Sequence, residues 1–133
     1  MSTMKLEIVT PERKVYDNDV NMVVVKGVAG ELGILPHHIP LVTPLKVAPV
    51  KAKKPDGRED FIAVHGGFME VRGEKVVILA EAAELPEEID VDRAMRAKER
   101  AEQRLRSKEI IDFHRAEIAL QRAMTRINVS NHD

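Results

Sequence analysis

The chain has 133 residues, a formal net charge of −1 and no cysteine, a size that suits one or two small domains. The absence of cysteine excludes disulfides, thiolate catalysis and cysteine-ligated zinc. With 21 basic and 22 acidic residues, the chain has no overall electric field that would attract nucleic acid or an acidic membrane surface.

The first 86 residues have the pattern of short β-strands separated by turns. Strand-forming residues dominate the stretches MKLEIVT, VNMVVVK, DFIAVHGGFMEV and KVVILA. Between two of them, Pro-Asp-Gly predicts a hairpin turn, because Gly57 can adopt a positive φ. The longest apolar runs, at 22–25 and 76–80, are far shorter than the roughly 20 residues that a membrane-spanning helix needs. The pattern favours an antiparallel β-sandwich or barrel over residues 1–86.

The segment GELGILPHHIP, residues 30–40, contains two glycines without the features of a phosphate-binding loop. It leads into Pro36 rather than a helix, and it lacks the Gly-Lys-Ser/Thr sequence of such loops. A bulge or a tight turn is therefore predicted. The adjacent His37 and His38 would point to opposite faces of an extended chain, so we predict no metal site there. The isolated His65 is interpreted as an ordinary polar residue.

Beyond Pro86 the chain is rich in the strong helix formers Ala, Glu, Arg, Lys and Gln. Asp90 is a candidate N-cap, and Asp92 lies in the first turn, where the helix dipole favours an acidic group. Apolar residues recur at helical spacing in two series, with an interruption at SKEIID, residues 107–112. The two series are Ala94, Ala97, Ala101 and Leu105, then Phe113, Ala116, Ala119, Leu120, Ala123 and Ile127. They predict an antiparallel two-helix hairpin over residues 87–133, and thus an α+β chain.

Arginines directly precede positions of both apolar series. They are Arg93, Arg96, Arg100, Arg104, Arg115, Arg122 and Arg126. One residue is about 100° of helical rotation, so each arginine row lies beside its apolar seam, and antiparallel packing brings both rows to one face. That face is either solvated and neutralised by interleaved glutamates, or it binds an anionic ligand or partner. The narrow alanine seam also predicts a marginal hairpin that can open.

Three segments carry a resemblance to a known family. GELGILPHHIP, VHGGFMEV at 64–71 and EIDVDRA at 88–94, in this order, resemble the epsilon subunit of the bacterial F-type ATP synthase over essentially the whole chain. The resemblance implies a sandwich of about ten strands, bound to the gamma subunit and the membrane c-ring, followed by a mobile helical hairpin. An extended hairpin would inhibit ATP hydrolysis at the catalytic alpha and beta subunits. The subunit would be peripheral, on the cytoplasmic side of the bacterial cell membrane.

The same resemblance implies a regulatory ATP site that stabilises the folded hairpin. Its residues would be Glu84, Ile89, Asp90, Arg93, Ala94, Arg100, Arg122 and Arg126. Arginines would bind the phosphates. Asp90 and Glu84 would accept hydrogen bonds from adenine, from ribose or from an arginine that they orient. Glu31, His37 and His38 would be rotor contacts. No obligatory cofactor is implied, and the sequence leaves open whether Mg²⁺ accompanies ATP.

The chain offers no catalytic base, nucleophile arrangement or Walker loop, so we predict no catalytic residues and no hydrolysis of bound ATP. The alternative function is a nucleic-acid-binding module that uses the basic hairpin. Near-zero net charge and an aromatic content of 3% argue against it. No arrangement of residues in the sequence supports a stand-alone enzyme.

Overall fold

The computed structural model describes residues 2–107 and 113–132, which form eight strands, a 3₁₀ turn and two helices. The strands are β1 (Met4–Val9), β2 (Lys14–Val20), β3 (Met22–Gly27), β4 (Gly30–Ile34), β5 (Leu41–Lys53), β6 (Glu59–Arg72), β7 (Lys75–Ala80) and β8 (Ala83–Glu84). The 3₁₀ turn Pro86–Glu88 leads into α1 (Val91–Arg106), and α2 follows (Phe113–Ser130). The α+β prediction of a β-sandwich followed by two helices is confirmed. Most of the predicted interruption at 107–112 lies outside the described residues.

Two long strands connect the layers of the sandwich. The strands pair in the order β2-β1-β7-β6-β5-β3-β4, with β8 added on β6. Pairing of β5 with β6 skips Lys46 and Gly66 and then resumes, and Gly66 and Gly67 there adopt φ of 80° and 127°. The described residues thus give eight strands rather than ten, because β5 and β6 each continue past this point instead of breaking in two. The expectation of a wholly antiparallel sheet is corrected by β1 and β7, which pair in parallel.

The core lies between the sandwich layers and follows the alternation of the strands. Leu6 and Ile8 on β1, Val23 and Val25 on β3, and Met69 and Val71 on β6 are spaced by two residues and all buried. Side chains two apart on a strand point to the same face. Burying each of them contributes about 1.5–3 kcal/mol relative to exposure. The predicted Pro-Asp-Gly turn is also confirmed, since Gly57 adopts φ of 88°.

The hairpin helices pack through the predicted alanine seam. The Asp90 side chain caps α1 by accepting a hydrogen bond from the Arg93 backbone N–H at 3.1 Å, as predicted. Ala94 and Ala101 of α1 and Ala116 and Ala123 of α2 are buried. Phe113 was predicted to lie in the seam, but half of it is exposed where it begins α2.

Helix α2 has a second buried face, which the helical spacing did not predict. Thr125 and Val129 are buried where α2 packs on β5 and β6. Helix α1 packs mainly along α2, so α2 is the layer between α1 and the sandwich. Neither described helix combines the length and the apolar character required to cross a membrane.

Candidate functional site

Of the predicted ATP-site residues, Glu84 and Arg126 meet where the sandwich contacts the hairpin. Glu84 is in β8, Ile89 and Asp90 lie between the 3₁₀ turn and α1, and the remaining residues are on α1 (Arg93, Ala94, Arg100) and α2 (Arg122, Arg126). The two-residue strand β8 exists because Glu84 pairs with Ala63 of β6. Glu84 therefore belongs to the sandwich, although it immediately precedes the hairpin.

The structure brings Glu84 and Arg126 into direct contact. Arg126 Nε donates a hydrogen bond to Glu84 Oε1 at 2.6 Å. His65 Nε2 lies 2.9 Å from the same oxygen. Of the roles considered for Glu84, orienting an arginine is the one found here. His65 is buried, with 1% exposure, and its contact with Glu84 shows that it is not isolated, as its place in the sequence had suggested.

These contacts keep Glu84 ionised. The hydrogen bond from His65 is the largest cause of a pKa lowered from 4.5 to about 2, burial of the carboxyl opposes it, and Arg126 adds a hydrogen bond and its charge. Both partners favour the charged carboxylate because they donate to it. At neutral pH, Glu84 is therefore an acceptor for both neighbours.

Lowering the pH is expected to weaken the attachment of α2 to the sandwich. The pKa of Glu84 is lower in the folded chain than in the unfolded chain. Its contribution to the free energy of unfolding is therefore complete above about pH 4.5 and is lost as the pH falls towards about 2. The loss is on the order of 2 kcal/mol after allowance for solvent screening. Urea unfolding between pH 7 and pH 2.5 measures it. Glu84→Gln should remove this pH dependence, and a substitution of the exposed Glu81, Glu81→Gln, should not. If stability depends on pH in the same way in both variants, the loss is not due to Glu84.

Apolar and aromatic contacts also join the sandwich to the helical part of the chain. Ile89 packs with Ala63 of β6 and Val129 of α2. The His132 ring stacks on Phe61, with centroids 3.7 Å apart and planes inclined by 12°. Ile89, predicted as a ligand contact, is buried and fastens the start of the hairpin to both neighbours. Ala94 is likewise buried, so its methyl is covered in this arrangement.

A second ion pair fixes the 3₁₀ turn that precedes α1. Arg13, in the turn between β1 and β2, donates to Glu88 Oε2 at 2.7 Å, and Glu88 Oε1 accepts from the Leu85 backbone N–H at 2.9 Å. The Arg13 hydrogen bond is the main cause of a lowered Glu88 pKa. The direction in which the chain leaves the sandwich is thus set by contacts within residues 13–88.

Three predicted site arginines present exposed side chains. Arg93, Arg100 and Arg122 are exposed, and within residues 2–107 and 113–132 none of them has a carboxylate at ion-pair distance. Glu99, Glu102 and Glu117 also form no ion pair in this part of the chain. Glu109, the fourth glutamate of the predicted face, lies outside the described residues. The contacts of the described residues leave the three guanidinium groups available to an external anion.

The predicted rotor contacts lie on β4, the last strand in the order of the sheet, and on the loop after it. Glu31 is exposed and pairs in register with Lys26 of β3. His37 adopts a positive φ of 69°, and His38 Nδ1 is 2.7 Å from the Ile39 carbonyl oxygen. In the described residues, no three His, Cys, Asp or Glu side chains are grouped to hold a metal ion.

An exposed apolar row crosses three neighbouring strands. Pro44 pairs in register with Phe68, and Phe68 pairs with Leu79. Phe68 and Leu79 are each more than half exposed, and Val42, two residues before Pro44, is 67% exposed. This row was not predicted from the sequence; its available signal was the pair of adjacent large residues Phe68 and Met69, because neighbours on a strand face opposite sides.

Comparisons with known proteins give a consistent result. Two family models match: the beta-sandwich domain of the ATP synthase delta/epsilon chain over residues 3–86, and its long alpha-helix domain over residues 87–131. The chain is 58% identical to the ATP synthase epsilon chain of Halalkalibacterium halodurans over 132 residues, which cover 98% of each chain. It is 61% identical to that of Alkalihalophilus pseudofirmus, again over 132 residues and 98% of each.

One solved structure extends the likeness to the fold. A chain of the Euglena gracilis mitochondrial ATP synthase, from a cryo-EM structure of OSCP, F1 and the c-ring, matches 99% of this chain and 83% of its own length. The TM-score is 0.84 at 23% identity. At that identity, the likeness concerns the fold: a sandwich followed by two helices.

Proposed function

The chain belongs to the ATP synthase delta/epsilon chain family, and on that premise we propose that it acts in the central stalk, coupling the catalytic head to the membrane ring. It is a subunit of ATP synthase and is not itself catalytic. We place it at the cytoplasmic side of the cell membrane, held there by the complex. The family match does not favour the nucleic-acid-binding alternative.

The outer face of the sandwich supports contacts with the stalk. The exposed apolar row of Val42, Pro44, Phe68 and Leu79 lies on adjacent strands, and contiguous apolar surface of this kind favours a protein partner. In our proposal the gamma subunit covers this row. The loop with His37 and His38, together with Glu31, then faces the c-ring.

The hairpin is the proposed inhibitory element. In the described part of the hairpin, α2 is the helix that packs extensively on the sandwich, and α1 is attached mainly through α2 by small alanine side chains. Such a layer contributes less apolar burial than a core of large residues, so moving it is less costly than opening the sandwich. Extended, the hairpin would carry its arginines to the catalytic alpha and beta subunits and slow ATP hydrolysis.

ATP is proposed to hold the hairpin in its folded position. The observation that carries this proposal is the set of exposed guanidinium groups of Arg93, Arg100 and Arg122, which form no ion pair within residues 2–107 and 113–132, on the hairpin that Arg126 joins to Glu84. An arginine guanidinium group can donate two parallel hydrogen bonds to the oxygens of a phosphate group. A ligand that binds only the folded arrangement stabilises it according to its concentration relative to its dissociation constant. ATP and the catalytic subunits would then compete for the same arginines.

Removing the hairpin after Pro86 from the reconstituted ATP synthase is expected to raise ATP hydrolysis, on the order of fivefold or more. The physical reason is that the sandwich keeps the stalk contacts while the inhibitory arginines are lost. Steady-state hydrolysis and ATP-driven proton pumping measure the two effects. Complex carrying the full-length chain is the control. Unchanged hydrolysis would leave the chain with the coupling role alone, and loss of pumping would show that the hairpin is needed for coupling.

A further inference from the structure

A buried histidine lies behind the ion pair that attaches α2 to the sandwich. We propose that His65 is a positioning residue, which holds the Glu84 carboxylate toward Arg126 and thereby sets how firmly the hairpin docks. The proposal deepens the proposed function, on which it rests for the role of a docked hairpin. His65 does not touch the ligand: it acts through Glu84.

The surroundings of His65 are those of a core position. Its strand neighbours Ile62, Ala63 and Val64 are buried, as His65 itself is. His65 Nδ1 is buried without a hydrogen-bond partner among the described residues. An unpartnered buried polar atom costs free energy, so an apolar side chain would suit the sandwich better. What the imidazole provides, and an apolar side chain would not, is the hydrogen bond from Nε2 to Glu84.

The hydrogen bonding fixes which ring nitrogen carries the proton toward Glu84. Ionised Glu84 has oxygens that only accept, so His65 Nε2, at 2.9 Å, donates to Oε1. Arg126 Nε donates to the same oxygen at 2.6 Å. Two donors from two elements, β6 and α2, thus converge on one atom. The Glu84 backbone is fixed by pairing with Ala63, but its side chain depends on these two donors for its direction.

The contact also orients Arg126 for a ligand. Glu84 engages Nε of the guanidinium, which leaves the terminal nitrogens, the donors that a phosphate group would use. Removing the His65 donor would release the carboxylate and then the guanidinium. Docking of α2 without nucleotide and affinity for ATP would therefore fall together.

Hydrogen exchange on the intact, nucleotide-free chain at pH 7 tests the proposal. His65→Gln and His65→Asn are the matched pair: both are polar amides, but only the glutamine nitrogen reaches the position of Nε2. We expect exchange in peptides of α2 to be about tenfold faster in His65→Asn, the scale of a lost charge-assisted hydrogen bond. His65→Gln should stay close to wild type. Peptides of β1 and β2 should be unchanged in both variants.

Two further measurements sharpen the result. In an Arg126→Met background, His65→Asn should add no further acceleration, because the group that it positions is gone. His65→Leu should speed α2 exchange without weakening the sandwich. Equal α2 exchange in the Gln and Asn variants, or additive effects with Arg126→Met, would overturn the proposal. Because no nucleotide is present, a chain that fails to bind ATP would contradict the proposed ATP site while leaving this test intact.

Discussion

Replacing Gly67 with alanine is expected to destabilise the sandwich by about 4 kcal/mol or more. Gly67 adopts φ of 127°, which side chains rarely tolerate, and an added Cβ would overlap the Leu79 carbonyl oxygen and lie 2.9 Å from Ala80 Cα. Both obstacles are backbone atoms of β7, which cannot move aside as a flexible side chain would. Urea unfolding followed by circular dichroism measures the loss.

Gly73→Ala is the matched control for this prediction. Gly73 also has a positive φ, 56°, but an added Cβ would meet no atom within 4 Å. Its cost should be limited to the left-handed backbone, roughly 1–2 kcal/mol. Equal losses in the two variants would contradict the close approach of β6 and β7 at Gly67.

Arg126→Ala is expected to lower the affinity of the isolated chain for ATP by about 100-fold, and Arg93→Ala by about tenfold. These are the effects expected when charge-assisted hydrogen bonds to the phosphates are lost. Arg126 has the larger effect because its loss also leaves the Glu84 carboxylate without its guanidinium partner in the proposed phosphate site. Isothermal titration calorimetry measures both. ATP should be recovered unhydrolysed.

Arg72→Ala is the control for charge alone. Arg72 ends β6 and is paired with Glu70 at 3.0 Å, so its removal changes net charge by the same amount at a distance from the hairpin. ATP affinity should be unaffected. If Arg126→Ala and Arg93→Ala bind ATP as wild type does, the proposed nucleotide site does not exist.

The features that sequence analysis predicted correctly are those decided by local chemistry. Asp90 caps α1 because a carboxylate one residue before a helix can accept from its free N–H groups. Gly57 forms its turn because only a residue without Cβ takes that φ readily. The alanine seam was visible because helical spacing places Ala94 and Ala101 on one face.

The features that it missed depend on which elements meet. The second buried face of α2, with Thr125 and Val129, exists because the sandwich lies on that side. The parallel pairing of β1 with β7 joins segments distant in the chain. His65 looked isolated because its partner Glu84 is 19 residues away along the chain, and nothing in the spacing links them.

By itself, the sequence determined the class of fold, its order of sandwich and hairpin, the helix cap and the positions of the arginines. Backbone propensity, periodicity and charge all act over a few residues, so they can be read without knowing the fold. Tertiary structure alone decided that Glu84 and Arg126 meet over a buried His65, and that Pro44, Phe68 and Leu79 form one exposed row. Such contacts depend on strand register and on how α2 lies across the sheet, which are set by packing the whole core at once.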